Sequence, residues 1–212
     1  MARAKNIDSP YSAALTGGGF LFEETDKLLP MLLSPERKTL IDEEKIYNKC
    51  LMINSESSRK RFISEIERRF DNMPYKFWED YMEMSEEDRR IALLYVILKT
   101  YRIAFDLHID VTKKKWNSVQ KQIELADLLI AFNDISAKDE FVDSWSDLTK
   151  RKVASAYLTI LRRAGMLDEE GNLRPLNPSN PEYYLDLVGE PWFLEACLWA
   201  PYQIENLKKQ TI

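Results

Sequence analysis

Residues 89–105, RRIALLYVILKTYRIAF, constrain the fold of this chain more than any other stretch. The stretch lacks glycine and proline, and apolar side chains surround most of the helix that it predicts. A helix that is apolar on nearly all sides belongs in a protein core, with other elements packed around it. Ser85, with Asp88 three residues later, resembles a capping box and predicts the start of this helix.

The rest of the chain also spaces its apolar residues by three and four and contains only six glycines, which favours helices throughout. The further predicted helices cover 19–29 (disturbed at Pro30), Asp42 through Ile53, Ser58 to about Phe70, a short aromatic helix opened by Pro74, 119–133, 138–145, 150 to a cap at Gly165, 181–188 and 191–199. The predicted fold class is therefore all-α, a compact helical bundle. Two helical halves, 1–118 and 119–212, are expected to pack as one globular unit.

One segment breaks the helical pattern. Between Met166 and Pro178 the sequence LDEEGNLRPLNP is rich in turn residues. It predicts two short strands around Glu170-Gly171, the size of the wing in a winged helix.

The stretch TKRKVAS, residues 149–155, concentrates positive charge at the start of the predicted helix that ends at Gly165. A helical wheel places Arg151, Ser155 and Arg162 opposite the apolar stripe, with Lys152 beside them. This outer stripe contains no acid, whereas solvated helices usually mix both signs of charge. Cations in a first turn also oppose the helix dipole by about 0.3 kcal/mol or more each. An anionic partner at this helix start would be held by the cations and by the free N–H groups.

The stretch SRKRFIS, residues 58–64, repeats this layout, with Arg61, Ser64 and Arg68 outward and two glutamates on the flanks. Each basic helix follows a shorter helical segment, 43–53 or 138–145, after a brief turn. That order predicts two helix-turn-helix elements, whose second helix enters the major groove of DNA. The candidate DNA-binding residues are Arg59, Lys60, Arg61, Ser64, Arg68, Lys150, Arg151, Lys152, Ser155 and Arg162.

A third basic cluster, TKKKWNS at residues 112–118, does not continue a clean helical stripe. Its lysines, Lys113 to Lys115, are expected to end the long central helix, where cations favourably oppose the C-terminal dipole.

Other motifs do not predict chemistry. The three glycines at 17–19 are not followed by Gly-Lys-Ser/Thr, so a flexible lead-in is expected rather than a phosphate loop. Asp106 and Asp110 share a helical face from which His108, the only histidine, points away. Neither cysteine has a histidine partner or metal-ligand spacing. We expect no enzyme activity, cofactor, metal site or small-molecule substrate.

Composition limits the location and the partners. Only two cysteines occur, which favours a reducing cytoplasm. The start, MARAKNIDSP, lacks the apolar region of a secretory signal. The longest apolar run, residues 91–98, is less than half of the roughly 20 residues that a spanning helix needs. The net charge of −5 does not exclude nucleic-acid binding. Electrostatic fields decay over about 8 Å at cellular salt, so a ligand responds to the charge of the local surface and not to the net charge of the chain.

Four stretches, in order over about residues 10–190, are similar to those of one known family. They are ALTGGGFLFEETDKLLPMLL, the Ser-Arg-Lys-Arg helix ending in EIERRF, ALLYVILKTYRIAFDLHIDV, and WSDLTKRKV leading to ILRRAGML. With these the chain resembles BrxA, the small core protein of BREX (bacteriophage exclusion) defence systems. The resemblance implies an all-helical protein with two helix-turn-helix elements that binds double-stranded DNA, beside a methyltransferase and ATPases that distinguish self from phage DNA. On this sequence the two elements would use Ser58–Arg69 and Thr149–Arg163.

The leading hypothesis is therefore a non-enzymatic, double-stranded DNA-binding component of a BREX system. Lys60, Lys150 and Lys152 would reach phosphates, which position a protein without specifying sequence. One alternative is a helical adaptor that docks other defence proteins through its basic patches. Another is an RNA-binding helical bundle, which requires exposed aromatic side chains beside the cations. Trp116, next to Lys115, is the obvious candidate for such stacking.

Overall fold

The computed structural model describes residues 8–186 and 189–210, and within these ranges the fold is all-α, as predicted, with no regular strand. The helices are α1 Leu15–Gly18, α2 Phe22–Leu32, α3 Arg37–Tyr47, α4 Glu56–Asp71, α5 Tyr75–Glu83, α6 Glu86–Thr100, α7 Arg102–Leu107, a π-helical turn His108–Thr112, α8 Lys113–Trp116, α9 Leu125–Ser136, α10 Glu140–Asp143, α11 Asp147–Arg163, α12 Glu182–Asp186, α13 Trp192–Ala196 and α14 Pro201–Gln210.

Helix α6 is the central element, as its sequence predicts. The hydroxyl of Ser85 accepts a hydrogen bond from the N–H of Asp88 at 3.2 Å, which caps the helix. All residues from Ile91 to Leu98 are buried. The helix does not continue to residue 105, because Tyr101 takes an extended conformation with φ −117° and ψ 105°. Its hydroxyl reaches buried polar groups of α4, and α7 then starts the next helical segment.

The predicted boundaries around the first basic helix are wrong by several residues. Asp42 lies inside α3 rather than at its start, and the helix ends at Tyr47 because Asn48 adopts the left-handed conformation with φ 52°. The chain through Ile53 is a loop. Helix α4 is capped by Ser55 instead of Ser58, whose N–H donates to the Ser55 hydroxyl at 3.3 Å.

The helix predicted at 19–29 starts later and is not disturbed at Pro30. Helix α2 begins at Phe22 and runs through Pro30 to Leu32, because its buried leucines hold the last turn against the core. Two other predicted boundaries have structural counterparts. Pro74 precedes α5, and Gly165, with φ 86°, follows the end of α11. Helix α14 was not predicted. The first seven residues of the start MARAKNIDSP, and the end of the helix predicted at 181–188, lie outside the described residues.

The predicted wing is reduced to isolated antiparallel bridges, Leu167 with Leu173 and Gln122 with Asn172. The N–H of Leu173 donates to the carbonyl of Lys121 at 2.8 Å, so the segment before α9 pairs here and α9 starts later than predicted. Regular strands do not form because prolines at 175 and 178 interrupt pairing directly afterwards. Within the described ranges, no helix is both long and apolar enough to cross a bilayer.

Candidate nucleic-acid interface

Helix α11 presents its predicted basic stripe to solvent. Ser146 caps the helix by accepting a hydrogen bond from the N–H of Thr149 at 3.2 Å. The apolar residues Val153, Tyr157 and Ile160 are fully buried. On the opposite side, the exposed residues are Arg151, Lys152, Ser155, Thr159 and Arg162.

The cations of this stripe lack acidic partners. No acidic side chain among the described residues lies within 4 Å of a nitrogen of Arg151, Lys152 or Arg162. Lys150 differs, since its ammonium donates to the hydroxyl of Ser136 at 2.8 Å and its side chain is half-buried. Three of the predicted contact residues of α11 thus carry uncompensated charge at the surface.

Helix α4 presents a second exposed stripe, which contains Arg61, Ser64 and Arg68. The Arg61 guanidinium lies 5.5 Å from the ring centroid of Phe62 and has no ion-pair partner among the described residues. Lys60 is exposed and pairs with Glu56, one turn earlier. Such exposed pairs contribute little to stability and can exchange for another anion.

Helix α4 contains two further glutamates, Glu65 and Glu67, which do not lie on this exposed stripe. Glu65 is buried and accepts a hydrogen bond from the Tyr101 hydroxyl at 2.7 Å. It also lies 3.6 Å from the Arg68 guanidinium. Glu67 pairs with Lys45 at 3.4 Å on the side of α3. The outer stripe of α4 is therefore basic, despite the acids in its sequence.

Arg59, a predicted contact residue, does not lie on the exposed stripe. Its side chain is buried with 5% exposure. The guanidinium donates to the carbonyl of Lys45 at 2.9 and 3.1 Å and to that of Ile53 at 2.9 Å. The buried carboxylate of Glu44 accepts the N–H groups of Cys50 and Leu51, so the two charged side chains organise the loop between α3 and α4. We leave Arg59 out of the candidate interface.

The third lysine cluster is compensated by acids. Lys113 pairs with Glu195, and the other two lysines form the ion pairs Lys114–Asp110 at 2.9 Å and Lys115–Asp127 at 2.8 Å. They lie at the end of the helical segment that starts at Arg102, and not at the end of the central helix as predicted, because α6 already ends at Thr100. The Trp116 ring is covered by the Lys121 ammonium, 3.7 Å from the ring centroid. This arrangement leaves that face of the indole poorly placed to stack on a base.

The glycines at 17–19 are not the flexible lead-in that their sequence predicts. Gly17 and Gly18 belong to α1, which contacts both α4 and α11. Gly19 adopts φ 60°, and its carbonyl accepts a hydrogen bond from Arg69 at 2.6 Å. Arg69 is itself 1% exposed. Sequence reasoning missed this residue, although its wheel position, three after Ile66, marks it as core-facing.

A buried hydrogen-bond chain joins α11 to the π-helical turn. The ring of His108 has its Nε2 2.8 Å from the Ala196 carbonyl, which can only accept, so Nε2 carries the hydrogen. The Tyr157 hydroxyl therefore donates to Nδ1 at 2.8 Å and accepts from Thr112 at 2.6 Å. Burial lowers the pKa of His108 to about 4. The described residues hold no group of three His, Cys, Asp or Glu side chains that suits a metal ion.

Comparisons with known proteins identify the family. The chain matches the model of the BrxA family over residues 9–181. A BREX protein BrxA from Bacillus cereus (strain H3081.97) is 29% identical over 197 residues, covering 89% of this chain and 96% of that protein. The fold is similar to the crystal structure of an uncharacterized protein from Magnetospirillum magneticum, with a TM-score of 0.73 and 18% identity over 89% of this chain and 98% of that one. Because the family model spans most of its length, this chain belongs to the BrxA family.

Proposed function

We propose that this protein is a non-enzymatic, double-stranded DNA-binding component of a BREX phage-defence system, acting in the cytoplasm beside other BREX proteins. The observation that carries the proposal is the contrast between two basic clusters. The lysines at 113–115 each pair with an acid, whereas Arg151, Lys152 and Arg162 have no acidic partner among the residues described. Arg151 and Lys152 lie in the second turn of α11 and Arg162 in its last turn, so what they lack is a counter-charge, which a bound phosphate would supply.

The proposed interface joins the outer stripes of α4 and α11. Arg61, Ser64 and Arg68 would face one groove segment, and Arg151, Ser155 and Arg162 another. Both helix-turn-helix elements, α3–α4 and α10–α11, belong to this proposal, as does the small bridge-paired turn after α11 in the role of a wing. With roughly six phosphate contacts, the logarithm of the affinity should fall with the logarithm of salt concentration at a slope of about −5.

The double variant Arg151→Glu/Arg162→Glu tests this function. We expect its affinity for duplex DNA to fall at least about tenfold and its salt slope to become shallower by about 2, because two cations that displace counterions from the DNA are lost. Fluorescence anisotropy with a labelled duplex across a salt series measures both quantities.

The matched control is Lys114→Ala/Lys115→Ala, which removes two cations already paired with acids. Its affinity should stay within about twofold of that of the wild-type protein. No binding of the wild-type protein to duplex DNA at low salt, or equal binding by the glutamate variant, would contradict the proposal. The first of these results would favour the adaptor, whose basic patches meet an acidic protein surface.

A further inference from the structure

Helix α1 is a single turn that contacts both basic helices, α4 and α11. An ideal Cβ at Gly17 would lie 3.3 Å from Cδ of Arg61, so this exposed arginine packs directly along the turn. A Cβ at Gly18 would lie 2.8 Å from Cδ1 of Leu21 and 3.3 Å from Cβ of Glu65. The absence of side chains at both positions is what permits α4 to lie against α1.

The same N-terminal segment also borders α11. Cα atoms of α11, like those of α4, lie within 8 Å of Cα atoms of α1. Arg163, next to the exposed Arg162, forms an ion pair at 3.5 Å with Glu23, which lies in the first turn of α2. Its carbonyl also accepts a hydrogen bond from Arg90 of α6. The C-terminal end of α11 is thereby fixed to the elements that flank the glycines.

These contacts limit the distance between the two helices. A four-residue helical turn spans about 5 Å, so the nearest Cα atoms of α4 and α11 are at most about 21 Å apart. Two helices that read successive major-groove faces of one duplex are about 34 Å apart. The nearest backbone atoms of α4 and α11 are closer together than that, which is compatible with both helices contacting the same turn of DNA.

We infer that the glycine turn at 17–19 holds α4 and α11 at a fixed spacing so that both grip one turn of duplex, with Gly18 as the positioning residue. This inference rests on the proposed DNA-binding function. Two rigidly spaced contacts act together because the second forms at a high effective concentration once the first has formed. A side chain at Gly18 separates α1 from α4 and uncouples the two contacts, without removing any cation.

The salt slope of Gly18→Leu tests the inference. The wild-type slope of about −5 should fall in magnitude to about −3 in this variant, because only one basic helix then engages each DNA molecule. Partial unfolding also lowers the amount of active protein, so circular dichroism is used to measure the folded fraction at each salt concentration and the slope is calculated for folded protein alone. Gly18→Ala, with a smaller clash, should give an intermediate slope and serves if the leucine variant does not fold.

A second measurement adds Arg61→Ala/Arg68→Ala to the wild-type protein and to Gly18→Leu, and compares the loss of DNA affinity in the two. This pair should weaken binding about tenfold in the wild-type background and less than about twofold beside Gly18→Leu, where α4 no longer contributes. Ile204→Val in the distant α14 is the matched control for lost stability, and should leave the slope at the wild-type value.

A third measurement leaves Gly18 intact. On a duplex of about 12 base pairs, little more than one turn, replacing Arg61 and Arg68 of α4 should still weaken binding. Replacing Arg151 and Arg162 of α11 should weaken it as well. The inference would be overturned if both Gly18 variants kept the wild-type salt slope. It would also be overturned if Arg61→Ala/Arg68→Ala weakened binding only to duplexes longer than about two turns. Either result leaves the DNA-binding proposal intact, whereas absence of wild-type binding rejects that proposal itself.

Discussion

Replacing Arg69 by methionine is expected to lower the free energy of unfolding by about 3–5 kcal/mol. The guanidinium is buried and donates to the carbonyls of Gly19 and Phe20 at 2.6 and 2.8 Å, and to the Tyr101 hydroxyl at 3.1 Å. That hydroxyl in turn donates to the carboxylate of Glu65. Methionine preserves much of the volume but leaves these acceptors without a donor, and the carboxylate of Glu65 keeps, besides the Tyr101 hydroxyl, only its longer contact with Arg68, at 3.6 Å.

Urea denaturation followed by circular dichroism measures this loss. The adjacent Arg68 provides the control, because its side chain is half exposed and its interaction with Glu65 is long, at 3.6 Å. Arg68→Met should therefore cost less than about 1 kcal/mol. Similar losses for the two variants would show that the network of Arg69 does not stabilise the fold.

The stability of the protein should fall as pH drops from 8 to 5, by about 2 kcal/mol on account of His108 alone. Burial lowers the pKa of this histidine to about 4, partly offset by its hydrogen bond with the Ala196 carbonyl. In the unfolded chain the pKa is about 6.5. Below that value the unfolded state binds a proton that the folded state does not, so the neutral histidine stabilises the fold above pH 6.5 and this contribution is lost towards pH 4.

Unfolding free energies measured between pH 5 and 8, above the usual range of carboxylates, isolate this effect. His108→Gln is the control, because an amide can still donate to the Ala196 carbonyl and accept from the Tyr157 hydroxyl but does not titrate. The chain contains one histidine, so the slope between pH 5 and 7 should nearly vanish in the variant. A variant with the slope of the wild-type protein would assign the effect to another group.

Local signals in the sequence predicted part of this structure. The cap at Ser85, the buried run of α6 and the outward stripe of α11 depend on neighbours within a few residues, and they were confirmed. The end of α3 was not predicted, because apolar residues continue the helical spacing beyond Asn48. Only the left-handed conformation of that residue, and the hydrogen bonds of the following loop to Glu44, end the helix there.

The candidate site was less predictable where partners are distant in sequence. Arg59 and Arg61 are two residues apart in the same basic run, yet one is buried on backbone carbonyls and the other is exposed. A wheel places Arg59 one turn before the buried Ile63, but charge composition alone favoured a surface position. The role of the glycines at 17–19 depends on α4 and α11, which no local pattern could place beside them.

The position of α1 in the chain also bears on how the molecule is made. Helix α1 lies near the start and α11 follows about 130 residues later. On the ribosome α4 emerges long before α11, and contacts between distant parts of a chain form late. A truncated translation product that ends before residue 147 carries one basic helix and an uncovered glycine turn. Both basic helices can assemble around that turn only after the chain has been made through residue 163.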